Sequence, residues 1–481
     1  MDDTGIVIDP QLPKTDIIVL NNIIGDIREA RASKASSGSE TSSGAATPDD
    51  SDEASSSGRS STSAGTRRGR RTPPETERLI SDNGGQNEPT TATSGDWDAR
   101  HRAALESLEA MSDPKHADFE PTVFVSTDLR DLQLPTAVNH WLLQPYIRWA
   151  QGIVRTKTDV VMWTHLLIYF TTTIPSAAYL LLVHFSWTHG VLHFLMQLFY
   201  MPTYTLMMHQ HIHQRGVLAK SWAWLDRSFP FVLDPLMGHT WNSYYYHHVK
   251  HHHVEGNGPG DLSSTIYFQR DNVWHFAQYV GRFYFLIWLD LPLYFMRKKK
   301  YELAARAAWS ECFSYFAMYC LWKFLDSRAA FMVVILPFLL LRLAFMAGNW
   351  GQHAFVDWED ADSDYRSSIT LIDVPSNRYC FNDGYHTSHH LNPLRHWRQH
   401  PVSFIKEKET YAREKALVFH GLDFNMITIK CLQKDYMYLA QRLVPLGDQV
   451  HMTMDERADM LRQHTRQFTK EDIARKFRTT S

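Results

Sequence analysis

The dominant pattern in the chain is a long stretch without charge. Between positions 160 and 214 there is no Asp, Glu, Lys or Arg, and the apolar run extends to Met208. One helical crossing of a bilayer takes about 20 apolar residues, so the run predicts two crossings, near 160–185 and 190–208. The polar turn Ser186, Trp187, Thr188, His189 and Gly190 joins them. Arg148, Arg155 and Lys157 lie just before the run and set its start on the cytosolic side by the positive-inside tendency. A hairpin returns to the face it left, so His209 is expected to emerge in the cytosol.

Three later apolar segments, 276–296, 307–325 and 329–348, compete for further crossings. If all three crossed, the histidine-rich stretches before and after them would lie on opposite faces. A crossing by the first would also expel Arg297, Lys298, Lys299 and Lys300 from the cytosol. The segment 276–296 contains Arg282 and Asp290 and is therefore read as interfacial. A second hairpin then crosses near 307–325 and 329–348, turning at Asp326, Ser327 and Arg328. The predicted fold is all-α and integral to the membrane, with about four transmembrane helices in two hairpins. A histidine-rich cap and both termini face the cytosol.

Outside this region the pattern changes. Positions 31–96 are rich in Ser, Thr, Gly and charge, with almost no large apolar residue, a composition that buries too little surface to offset ordering entropy. The division drawn is a disordered N-terminal region (1–115), a membrane domain (116–405) and a cytosolic helical C-terminal region (406–481). The basic run Arg67, Arg68, Arg70 and Arg71 reads as a solvated tail, with a phosphorylation site or phospholipid contact as alternatives. Asp2, Asp3, Asp9 and Asp16 interrupt the first twenty residues, so no cleavable signal peptide is expected.

Composition narrows the function classes. Lys+Arg 49 against Asp+Glu 52 gives a formal net charge of -3, which does not suggest a nucleic-acid binder. The cysteines Cys312, Cys320, Cys380 and Cys431 are scattered, so neither a disulfide framework nor a zinc ribbon is expected. Histidine is the unusual residue, at 26 copies, and most of the later ones fall in short clusters.

The first cluster is His209, His211 and His213. Residues four apart share a helical face, so His209 and His213 converge while His211 points away. The second runs from His247 to His253, where His248, His251 and His252 match His-x-x-His-His and form one helical stripe. His247 and His253 offer shifted registers. The third, His386, His389 and His390, repeats that pattern. Between them Asn349 precedes His353 by one helical turn, placing an amide where it can hold a ligand water. Alone, His209 and His213 read equally well as interfacial histidines capping a membrane helix, His353 as a simple interfacial histidine, and the second cluster as a histidine-rich basic loop or a lone structural zinc site. Three clusters at the predicted ends of membrane hairpins point to a metal centre.

These motifs resemble the membrane fatty-acid desaturase family, as do Gly260, Asp261, Leu262 and Ser263 and the stretch from Asn382 through Asp383 and His386 to Pro393. The resemblance covers about 160–401. It implies two iron ions held by His209, His213, His248, His251, His252, His353, His386, His389 and His390, with His211, His247 and His253 as alternative-register ligands. It also implies an oxidoreductase that uses dioxygen and two electrons to place a cis double bond in a lipid acyl chain. Asp261 and Asp383 are favoured over Glu255 and Asp357 as acceptors for the distal N–H of ligand rings. Trp241, Tyr244, Tyr245 and Tyr246 suit an acyl tunnel or an interfacial aromatic belt.

The spacing departs from the commonest family pattern. The first cluster has three intervening residues where many members have four, and the second holds five histidines in seven positions. No His-Pro-Gly-Gly haem signature occurs, so electrons are expected from a separate donor such as cytochrome b5 and its reductase. Lys250, Arg395 and Arg398 are its candidate docking points, or else phospholipid contacts. A hydroxylase of the same superfamily is the nearest alternative function, and a histidine-rich metal carrier is the non-enzymatic one. The expected location is the endoplasmic reticulum membrane.

Overall fold

Proline explains much of the local architecture. The computed structural model describes residues 6, 12–39, 99–372 and 374–477; the basic run at 67–71 and most of the expected disordered segment lie outside them. Five π-helical segments occur among the described residues, and four of them run directly into a helix with proline at its second position: Pro145, Pro175, Pro235 and Pro337. Proline has no N–H for the i−4 carbonyl, so the preceding turn widens to i→i+5 bonding. The fifth, Tyr245–His252, has no such proline, and it carries the second histidine cluster.

Two continuous helical runs, Val160–Leu182 and Ser327–Gln352, are long and apolar enough to cross a membrane. Between them in sequence lies Trp187–Gln214, which starts where Ser186 Oγ accepts from His189 N and ends at Arg215 in the left-handed region, φ 56°. Val273–Arg297, the segment read as interfacial, is a helix packed against Tyr301–Phe324 across a short turn at Lys298, Lys299 and Lys300. Large apolar side chains on these helices face outward, including Phe199 (76% exposed), Phe285 (73%) and Phe324 (75%). Such a surface suits lipid rather than water.

Glu311, which interrupts the apolar segment 307–325, is buried and paired with Arg342 of Ser327–Gln352. It also accepts from Thr240 Oγ1 at 3.0 Å, and the Arg342 guanidinium lies 4.5 Å from the Phe338 ring centroid. These two buried charges therefore meet across neighbouring helices, as buried charges require.

The reading of 1–115 as disordered is corrected where the structure describes it. Lys14–Ser39 and Ala99–Ala110 are helices that pack on each other and on Gln399–Arg413. Val19, Leu20, Ile23, Ile24 and Ile27 form the buried stripe of the first, against Val402, Ile405 and Tyr411. Their spacing is that of one helical face, but the polar sequence that follows obscured it. Gln399–Arg413 also runs through the boundary drawn at 405/406, so the C-terminal region is continuous with the histidine cap.

One small sheet breaks the all-α pattern. Ile369–Ile372 pairs in parallel with Leu417–His420, Ile369 opposite Leu417. It lies beside the short helix His386–Leu391 and anchors the third histidine cluster to the C-terminal helices. At the end of Ser327–Gln352 the backbone comes so close to the next layer that a Cβ on Gly351 would lie 2.2 Å from the Phe424 carbonyl oxygen. All four cysteines are free.

Candidate metal centre and its cavity

The histidines separate into two groups. His209, His213, His248, His253 and His389 form one; His252, His353, His386 and His390 form the other. His209 and His213 lie one turn apart at the end of Trp187–Gln214, ring centroids 4.7 Å apart. His211 points off this face, stacked 4.3 Å from Phe229 and 3.8 Å from Asp226.

The second cluster differs from the α-helical register. In the π-helical Tyr245–His252 the turn is one residue wider, so His248 meets His253 at i+5, Nε2 to Nε2 3.0 Å. His252 faces the other group. His251, expected among the ligands, lies apart from both groups and close to Asp261 and Tyr294, and His247 lies near it. The third cluster is an ordinary helical turn. His386 and His390, four apart, join one group (Nε2 to Nε2 3.1 Å), while His389 joins the other.

The ring nitrogens converge. In the five-member group His209 Nε2 lies 2.8 Å from His248 Nε2 and 3.1 Å from His389 Nε2, and His389 Nε2 lies 2.8 Å from that of His253. In the other, His386 Nε2 lies 3.2 Å from His353 Nε2. A metal–imidazole bond of about 2.1 Å puts neighbouring octahedral ligands about 3.0 Å apart, so these separations are those of rings sharing a metal. His213 Nε2, buried among them, has no hydrogen-bond partner. The two groups adjoin, with His253 and His390 ring centroids 5.2 Å apart. The donor set and its spacing fit two metal ions.

Neighbouring groups fix the rings. His252 Nδ1 donates to Asp261 Oδ2 at 2.7 Å, and His353 Nδ1 to the Ser367 carbonyl at 2.7 Å, which leaves each Nε2 free to bind. Asp364 stands 3.6 Å from His390 Nδ1. Sequence reading passed over Ser367 and Asp364; a backbone carbonyl and a lone acid outside any motif carry no spacing signal. Burial pushes His248, His353, His386 and His389 toward the neutral form that binds metal. Burial alone would raise Asp261, but His252 and His251 outweigh it and hold the carboxyl well below the usual range.

Other candidates are occupied elsewhere. Asn349 Nδ2 donates to the Ser263 carbonyl (3.1 Å) and the Tyr279 hydroxyl (2.6 Å). Asp357 pairs with Arg366 and Glu255 with Lys298. Trp241 stacks on Phe313 at 4.2 Å. Arg398 donates to the carbonyls of Met111 and Glu120, and Arg395 to that of Ser388, so both are tied into the fold.

A cavity of about 510 Å³ leads to the metal groups. Leu198, Met201, Leu206, Leu341 and Phe345 wall one part, from the helices Trp187–Gln214 and Ser327–Gln352. His209, His248, His252, His386 and His389 line another. Tyr244 lies between, stacked on His248 at 4.8 Å and on Phe345 at 5.0 Å. Asp383 lines the cavity rather than holding a ligand ring, and burial pushes its carboxyl up to about 7. The channel is mostly apolar and ends at the two histidine groups.

No curated protein and no solved structure matches the chain. Residues 185–421 match the family described as fatty acid desaturase. That span contains all nine histidines of the two groups, five and four. Residues 185–421 are thus a domain of the fatty acid desaturase family.

Proposed function

We propose that the protein is an oxidoreductase that introduces a cis double bond into a long saturated or monounsaturated acyl chain, with two irons in the paired histidine groups. The observation that carries this reading is the apolar cavity that ends on both groups. Bound there, the irons supply the oxidising power to remove hydrogen from an unactivated methylene. The balance is one dioxygen, two electrons, two protons and the two hydrogens of the substrate, giving an alkene and two waters.

The chain's own residues do the rest. The apolar wall holds an acyl chain extended and dry against the metal groups, so that position selects which methylene reacts. Asp261, Ser367 and Asp364 orient His252, His353 and His390. Electrons enter from a separate donor of the cytochrome b5 kind. With Arg395 and Arg398 engaged internally and Lys298 paired with Glu255, Lys250 and the exposed Lys299 and Lys300 are the better docking points. The four-crossing topology keeps the cap and both termini cytosolic at the endoplasmic reticulum. Glycosylation tags after Trp187 and Asp326 are then modified, and a tag at the C-terminus is not.

Lipid profiling after expression in a host lacking the activity tests the reaction. A new cis-unsaturated chain, lost in His389→Ala, is the expected result. A hydroxylated chain without alkene assigns the protein to the hydroxylases instead, and unchanged lipids with metal bound favour a carrier.

A further inference from the structure

Asp261 faces two ways. Its Oδ2 accepts from His252, while its Oδ1 accepts from Ser263 N and Oγ, both at 2.8 Å, and stands 3.8 Å from His251 Nδ1. The side chains of Asp261 and His251 are fully shut off from solvent, each 0% exposed. His247 completes a trio in which one ligating atom from each residue lies within 4.8 Å of the others. Neither histidine belongs to the two groups already described.

Two atoms of the trio lack partners. His251 Nδ1 and His247 Nε2 are both buried, and neither makes a hydrogen bond. A buried polar atom without a partner calls for an explanation, and here two such atoms attend one carboxylate. The wide π-helical turn has set these two rings on a different face from His248 and His253.

We infer that His247 Nε2, His251 Nδ1 and Asp261 Oδ1 form a third site, separate from the iron groups, for a single divalent transition-metal cation. Two imidazoles and a carboxylate are a donor set that zinc and its neighbours accept, with open positions completed by water. Water has a route, because His247 lines the cavity. The tautomer is available too. His251 Nε2 lies 3.3 Å from the Gly260 carbonyl, so a cation on Nδ1 shifts the ring proton to Nε2, where it donates to that oxygen. The Leu262 N–H, at 3.1 Å from Nε2, gives up its acceptor in exchange. Arg342, a cation whose field reaches His247, is offset by its own partner Glu311. Through Asp261 the third cation is tied to His252, and its binding braces the π-helical turn that sets the ligand register.

The test uses the full-length protein, purified in detergent from iron-replete cells, given one equivalent of zinc chloride and desalted. Elemental analysis of the wild type should find one zinc per chain beside an unchanged iron content, and X-ray absorption should show only nitrogen and oxygen around the zinc. His247→Gln and His251→Asn should each lower the retained zinc by about tenfold or more and leave the iron in place. His389→Ala should lose iron and keep the zinc. The inference is overturned if the wild type retains no zinc, if zinc enters only as iron leaves, or if both trio variants hold zinc as well as the wild type. Loss of iron together with zinc in both variants would also overturn it, by assigning these residues to the iron groups. No turnover is measured, so the result stands apart from the reaction proposed above.

Discussion

Replacing His253 by alanine tests the ligand register. His253 Nε2 lies 3.0 Å from that of His248 and 2.8 Å from that of His389, so the ring occupies a vertex beside both. Loss of a group that merely orients a ligand weakens metal binding by about 10–100-fold, and loss of the ligand itself should exceed the upper figure, more than about 2.7 kcal/mol. At that cost a metal position nine-tenths filled falls below about one-tenth. The assay is iron per chain in purified full-length protein, with acyl products measured in the expressing cells. Wild type should carry two irons, His253→Ala one or fewer with no alkene formed, and His251→Ala two. An α-helical register demands the reverse. If His253→Ala keeps both irons while His251→Ala loses one, the π-helical reasoning fails.

Further outcomes follow from the packing. Glu311→Ala leaves Arg342 buried without its partner and should cost about 3–5 kcal/mol, whereas Glu311→Leu with Arg342→Leu should recover most of it; thermal unfolding in detergent distinguishes the two, and equal losses would refute the pairing argument. Ile23→Asp puts a charge into a position with 0% exposure; the Lys14–Ser39 helix should undock and become sensitive to limited proteolysis, while iron content stays at two. The pH response has a definite sign. Burial holds His386 and His389 below the ordinary imidazole value, and His400 down to about 3. Above about pH 6.5 the folded and unfolded chains are both neutral at these rings. Below it the unfolded chain takes up protons that the folded one refuses. Stability of the metal-free protein should therefore fall with falling pH, by up to about 1.4 kcal/mol per pH unit per ring; a melting temperature constant from pH 7 to 5 would contradict this.

The amino-acid sequence by itself determined the family resemblance and the helical, histidine-rich character of the chain. An uncharged run between 160 and 214 leaves little alternative to apolar helices, because no charged side chain there needs water. His209 with His213, and His386 with His390, were legible because they lie in ordinary α-helix, where a spacing of four fixes a shared face. What only the tertiary structure decided lies where that rule stops. The second cluster has no proline to mark its wider turn, so spacing alone grouped His251 with His248, whereas the fold sets His253 beside that ring. Glu311 interrupts an apolar segment, and only the fold brings Arg342, 31 residues away, to face it. Arg398 looked like a surface cation, yet carbonyls of Met111 and Glu120, far off in sequence, enclose it. Local periodicity reports which face a side chain takes when the helix is regular. It does not report a change of helical pitch, nor which distant backbone or charge the folded chain brings to meet that side chain.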